Sequence, residues 1–276
     1  MKNTDSNSLD SLSSEIERLS EKFSGRNLKD LRDEMTQKCH SDYSVVIRNY
    51  PFGERVCLEK THNSQKNYED LQSSRTFWWH SEAGSDAVSK ASRLLAEGMK
   101  EGNKLRVKEL ECLSFLDVGP RSFKSVCEIG FRTPEILKHF IDAGAEIATG
   151  YDVVSYNVLL GREMGYDVHQ ADIGDNNSEL DLSNIQLVMC YQVLEHISDP
   201  LLGVKKIFES MDSGAYFHVE IPIEPGNPRL EWGHLYGFHE NDLESMCHLA
   251  GFKMLFATSK VWTDGPHIRR ILCQKN

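Results

Sequence analysis

The stretch Val126-Cys127-Glu128-Ile129-Gly130-Phe131-Arg132-Thr133-Pro134 constrains this chain more than any other. A short apolar run ends in an acid and a glycine, and a helix pattern, Pro134-Glu135-Ile136-Leu137-Lys138-His139-Phe140-Ile141, follows at once. Strand, tight turn and helix is how an α/β fold builds a nucleotide pocket. Gly130 allows a sharp turn and a close approach by a ligand. Pro134 suits the first helical position, where its missing N–H has no partner to lose, which makes Thr133 the expected N-cap.

From residue 125 onward the pattern alternates. Strands are expected at Ser125–Ile129, Glu146–Tyr151, Asp167–Gln170, Ile185–Tyr191 and Gly214–Ile221, with final strands at Lys253–Ser259 and Ile268–Gln274. Helices are expected at Pro134–Ala143, Tyr156–Met164, Pro200–Met211 and Glu240–Ala250, three of them closed by Gly144, Gly165 and Gly251. Such alternation implies a mostly parallel sheet with helices on both faces. The last two strands follow one another with no helix between, so they should pair antiparallel. The fold class is therefore α/β: a Rossmann-like, seven-stranded, mostly parallel sheet with an antiparallel last strand.

Residues 1–115 read as a mostly helical extension, and 116–276 as the main domain. Within the extension, Leu12 to Lys38 has a patchy helical pattern, Ser44–Ile47 is β-prone, and Asn49-Tyr50-Pro51-Phe52-Gly53 reads as a turn. Ser85–Met99 and Arg106–Leu116 carry helical spacing. Phe77-Trp78-Trp79-His80 reads as a core anchor or as a wall of a substrate site.

Composition narrows the function. The formal net charge is -11, which argues against a partner held mainly through phosphates. No apolar run approaches the roughly 20 residues that span a bilayer, and Met1–Asp10 carries no apolar signal core. Seven scattered cysteines with no CxxC pair suggest neither a disulfide framework nor a structural zinc site, and fit a reducing, cytoplasmic setting. No tight metal-ligand motif stands out, and no metal is assigned.

Three acids sit at or just past successive strands: Glu128, Asp152 and Asp172. Residues at the carboxyl ends of parallel strands line the ligand crevice, and an acid about 20 residues past the glycine turn is placed to bind ribose hydroxyls. With this ordered set, residues 125–274 resemble a class I S-adenosylmethionine-dependent methyltransferase of the small-molecule branch. Val193-Leu194-Glu195-His196-Ile197 with Asp199-Pro200, and the stretch from His234 to Gly251, resemble further segments of that branch.

The resemblance implies S-adenosyl-L-methionine as cofactor. It implies that Glu128-Ile129-Gly130 cradles the methionine part, that Asp152 holds the ribose, that Asp172 meets the adenine amino group and that Ile173 packs on the ring. Val153 and Tyr191 join this cofactor set. Arg132 departs from the family turn, which carries two or three glycines. It either pairs with the cofactor's carboxylate or points to solvent, and at φ > 0 it would cost on the order of 1 kcal/mol.

Methyl transfer to an oxygen or nitrogen of a small metabolite is the expected reaction, with His196, Glu220 and His239 as candidate catalytic groups. The extension would cover the active site or mediate a homodimer. Rival readings are a non-catalytic binding or regulatory protein on the same fold, and a macromolecular (RNA or protein) methyltransferase. A nicotinamide oxidoreductase would need G-x-G-x-x-G, which Gly130–Glu135 does not supply.

Overall fold

The computed structural model describes residues 28–61, 122–225, 228–261 and 267–276, together with Glu21, Arg26 and Leu71. The aromatic group Phe77–His80 and the helices expected at 85–99 and 106–116 lie outside these residues. No described helix is long and apolar enough to cross a membrane.

The chain from 125 onward alternates as its apolar spacing predicts. The elements run β3 (Ser125–Ile129), α2 (Glu135–Asp142), β4 (Ile147–Asp152), α3 (Ser155–Glu163), β5 (Asp167–Gln170), β6 (Leu187–Tyr191), α4 (Pro200–Ser210), β7 (Tyr216–Ile223), α5 (Asp242–Ala250), β8 (Phe252–Val261) and β9 (His267–Lys275). They are preceded by α1 (Leu28–Ser41), β1 (Tyr43–Tyr50) and β2 (Gly53–Lys60). Strands β3 and β6 are buried at every position, as central strands covered on both faces must be.

Among the described residues the main sheet has seven strands in the order β5-β4-β3-β6-β7-β9-β8. Strands β3 to β7 are parallel, and β9 inserts antiparallel between β7 and β8. The strand order reverses between β3 and β4 on one side and β6 on the other, which opens a crevice at the carboxyl ends of these strands. Two apolar clusters lie on the two faces. One joins Ile129, Val188, Cys190, Val219 and Ile207, and the other joins Val126, Phe131, Leu137, Phe140 and Val168.

Helix α2 starts one residue later than the sequence suggests. Pro134, at φ -81 and ψ 37, occupies the cap position, and Thr133 is not the cap. The Pro134 carbonyl accepts the first ladder bond, from Lys138 N–H at 2.9 Å, and Glu135 N–H donates to Thr133 O at 2.9 Å. A proline at the cap is tolerated for the same reason as at the first turn: no helical carbonyl waits for its missing N–H.

Strand β2 goes beyond the sequence reading, which marked only 44–47 as β-prone. Strands β1 and β2 form a hairpin turning at Pro51-Phe52, with Tyr43 opposite Lys60 and Tyr50 opposite Gly53. The hairpin docks on the crevice side of the main sheet. Arg55 forms an ion pair with Asp242, which is 1% exposed and also accepts from Tyr236 Oη at 3.0 Å. Tyr50 Oη donates to Asp199 Oδ1 at 3.0 Å, and Leu58 N–H donates to Leu235 O at 2.9 Å.

His218 lies inside β7 and is fully buried, bonded through Nδ1 to the Tyr191 hydroxyl on β6. Burial, with Arg270 nearby, pushes the imidazole down to about 3 from 6.5. Below about pH 6.5 the unfolded chain therefore takes up a proton that the folded chain refuses, so this residue costs stability as pH falls. Denaturant melts from pH 7 to 5 should show stability falling with pH. In His218→Gln that slope should be shallower by up to about 1.4 kcal/mol per pH unit.

Candidate functional site

The turn after β3 is built on two left-handed residues. Gly130 has φ +72, and its N–H donates to Tyr151 O at 2.6 Å. A Cβ added at Gly130 would lie 2.2 Å from Val193 Cγ2, so no other residue fits without displacing the segment after β6. Arg132 has φ +47, the conformation that its side chain disfavours. Its N–H donates to Asp152 Oδ2 at 2.9 Å, which offsets that cost. Phe131 between them is fully buried and packs against Gly150 and Gly161, where a Cβ would lie 2.9 and 3.3 Å from its ring.

Asp152 closes β4 and is 6% exposed. Its Oδ1 accepts the Val154 N–H at 2.8 Å while Oδ2 holds the Arg132 N–H. Burial raises this carboxyl above its ordinary value, opposed by those two N–H groups and by the Asn157 side-chain amide. A carboxylate has about four lone-pair directions, so beyond these three donors Asp152 keeps acceptor capacity for a ligand hydroxyl. After β5, Asp172 Oδ1 accepts the Gly174 N–H at 2.8 Å, and Ile173 beside it is buried.

Beyond β6 the chain makes a one-turn 3-10 helix, Leu194–His196. The Glu195 carbonyl accepts the N–H groups of Leu235 (2.7 Å) and Tyr236 (3.1 Å), and this ties the turn to the loop after β7. His196 and His234 are thereby brought edge to face, with ring centroids 5.1 Å apart. His196 Nδ1 donates to Gly233 O at 2.8 Å, and His234 Nδ1 bonds Glu224 Oε2 at 2.6 Å.

These segments surround a cavity of about 290 Å³, at the lower end of the range for small-molecule pockets, roughly 300–1,000 Å³. Of the residues expected to hold a cofactor, Ile129, Gly130, Arg132, Asp152, Val153, Asp172, Ile173 and Tyr191 all line it. Glu128 does not. It is 1% exposed and shares the strand face of Val126, opposite to Ile129, because side chains alternate along β3.

Of the expected catalytic groups, His196 lines the cavity and the other two do not. Glu220 is buried, paired with Arg270 and bonded to Gln192 Nε2 at 2.9 Å. Its carboxylate neutralises a buried guanidinium inside the sheet and is spent there. His239 stands at the start of α5, where its N–H donates to Asp242 Oδ2 at 3.1 Å.

Several wall residues were not singled out from the sequence: Lys60, Asn157, Glu195 and His234. Asn157 was hidden inside a helix pattern, and Lys60 arrives on the unanticipated strand β2. His234 meets Glu195-His196 through the bonds of the Glu195 carbonyl to the 235–236 backbone and of His196 to the Gly233 carbonyl, pairings with no local signal in the sequence.

The residues present fit an adenosyl sulfonium ligand. Gly130 leaves the close approach open, Asp152 and Asp172 offer acceptors at two successive strand ends, and Ile173 and Ile197 give apolar wall between them. Gly130→Ala should cost at least about 2 kcal/mol of stability through the clash with Val193 and the left-handed backbone. Thermal unfolding checks this against Gly144→Ala, where φ is +99 but a Cβ meets nothing within 4 Å, so that variant carries the backbone cost alone and the excess loss at Gly130 is the clash.

No protein-family model matches the chain, and no curated protein matches it in sequence. Solved structures do match. A magnesium protoporphyrin IX methyltransferase (ChlM) from Synechocystis PCC 6803, with bound SAH, has a TM-score of 0.53 at 12% identity over 77% of this chain and 98% of its own. A chain from a Haloferax volcanii complex of the Trm112 methyltransferase activator with a methyltransferase has a TM-score of 0.51 at 13% identity, over 66% and 96%. The likeness is one of fold, and it agrees with the strand order, the antiparallel β9 and the crevice at the strand ends. This chain has the class I S-adenosylmethionine-dependent methyltransferase fold.

Proposed function

We propose that the protein is an S-adenosylmethionine-dependent methyltransferase acting on an oxygen or nitrogen of a small molecule. The observation that carries the reading is the convergence of Gly130, Asp152, Asp172 and His196 on one cavity. Bound there, S-adenosylmethionine supplies a methyl group already activated on a sulfonium, so the protein's task is chiefly alignment.

In this reading Asp152 accepts the ribose hydroxyls, Asp172 accepts from the adenine amino group, and Ile173 packs on the ring. Ile129 and Gly130 present backbone to the methionine part, and Arg132 at the rim stands near its carboxylate. His196, with its Nδ1 proton held by Gly233 O, carries its lone pair on Nε2, the form a proton acceptor requires. The acceptor enters between His196, His234 and Lys60, so the hairpin β1–β2 contributes to the acceptor side. The cavity's size and the net charge of -11 support a small acceptor.

Asp152→Ala should weaken S-adenosylmethionine binding by about 1–3 kcal/mol, the scale for hydrogen bonds to a charged group. His196→Ala should lower methyl-transfer turnover far more than cofactor affinity. Unchanged affinity in the first variant would remove the ribose assignment. Equal losses of turnover and affinity in the second would remove the proton-acceptor role.

A further inference from the structure

The cavity wall holds a cluster that the cofactor does not account for. Glu195, His196 and His234 each offer a ligand atom within 4.8 Å of those of the other two. Both histidines are already oriented. The His196 Nδ1–H is bonded to the Gly233 carbonyl at 2.8 Å, and His234 Nδ1 to the Glu224 carboxylate at 2.6 Å. An imidazole whose Nδ1 proton is held in this way presents the lone pair of Nε2. His196 Nε2 lies 4.0 Å from Glu195 Oε1. Carboxylate to histidine to ion, and carbonyl to histidine to ion, are the arrangements that fix tautomer and ring direction around bound metals.

We infer that Glu195, His196 and His234 form a binding site for one divalent transition-metal ion on the acceptor side of the cavity. Metal–ligand bonds of about 2.0–2.2 Å place neighbouring ligand atoms roughly 3–3.5 Å apart. The cluster therefore closes by about an ångström on binding, within reach of small side-chain rotations. Two imidazoles and one carboxylate select ions such as Mn(II), Fe(II), Co(II) or Zn(II) over the all-oxygen preference of Mg(II) and Ca(II). Three protein ligands leave coordination positions open, as in sites that bind substrate rather than brace a fold.

The ion gives a chemical class to the acceptor, and this part rests on the methyltransferase reading above. An amine bound to the ion would lose the lone pair it needs for attack, whereas a hydroxyl oxygen keeps one and becomes more acidic. The acceptor is therefore an alcohol or phenol. Its O–H bond breaks with the proton passing to water, and an O–CH3 bond forms from the oxygen's electron pair. The S–CH3 bond breaks with its pair returning to sulfur. With the ion present, the Nε2 lone pair of His196 is given to the metal, and acidification of the bound hydroxyl takes over the work of a base.

The test is titration of the full-length, chelator-treated protein with cobalt(II) chloride, followed by calorimetry and visible absorption. One ion per chain is expected, with the absorption bands of nitrogen- and oxygen-ligated Co(II). Glu195→Gln and His234→Gln should each weaken binding at least about tenfold. His248→Gln, an exposed position on α5 outside the cluster, should leave it unchanged. Thermal unfolding confirms that each variant is folded, and His234→Gln suffices alone should the buried Glu195→Gln fail that check.

Absence of stoichiometric binding, or binding indifferent to the folded variants, would overturn the site. Titrating the same metal-free sample with S-adenosylmethionine separates the two readings. Cofactor binding without ion binding removes the ion site alone. Ion binding that the variants abolish, in a protein that binds no cofactor, supports the site and removes the methyltransferase reading with its acceptor class.

Discussion

The carboxylate of Asp152 is the point on which the candidate site depends. One oxygen holds the Arg132 N–H of the turn after β3, and the other holds the Val154 N–H before α3. A single buried acid thus fixes two neighbouring strand ends relative to each other. It also explains why a non-glycine residue survives at φ +47: the left-handed turn at Arg132 aims its N–H at a charged acceptor, and hydrogen bonds to charged groups are worth more than the strain. Gly130 has no such alternative, because Val193 occupies the space a Cβ would need.

The other side of the cavity is set by a second group of tethers, formed by backbone more than side chain. The Glu195 carbonyl binds the 235–236 backbone, and β2 extends the contact through Leu58 N–H to the Leu235 carbonyl. Arg55 on β2 and Asp242 at the start of α5 anchor the same hairpin, while Tyr50 reaches Asp199 at the N-terminal end of α4. These bonds carry Lys60, His196 and His234 to one wall. The strand ends of the main sheet supply one side of the cavity, and the hairpin with the loop after β7 supplies the other, the usual division between a rigid scaffold and variable connections.

Much of this was legible in the sequence where local rules operate. Strand β3 lies where its apolar run places it, β5 lies between Gly165 and Asp172 as expected, and Gly144, Gly165 and Gly251 follow their helices as expected, each at positive φ. Asp152, Asp172 and Gly130 line the cavity because strand ends in a parallel sheet all face one crevice. Glu128 misled because it sits one residue before the strand ends, where alternation turns it away. Glu220 looked available because its partner Arg270 lies 50 residues later, on an antiparallel strand whose insertion beside β7 has no local signal. The Glu195–His196–His234 cluster and strand β2 were missed for a similar reason: each depends on pairings across long stretches of chain.

The central claim is that the cavity at the strand ends holds S-adenosylmethionine. Calorimetric titration of the full-length protein with S-adenosylmethionine and with S-adenosylhomocysteine tests it most directly. The account predicts saturable, one-to-one, micromolar binding of both. A folded protein that binds neither would contradict it, and the fold would then serve some purpose other than methyl transfer.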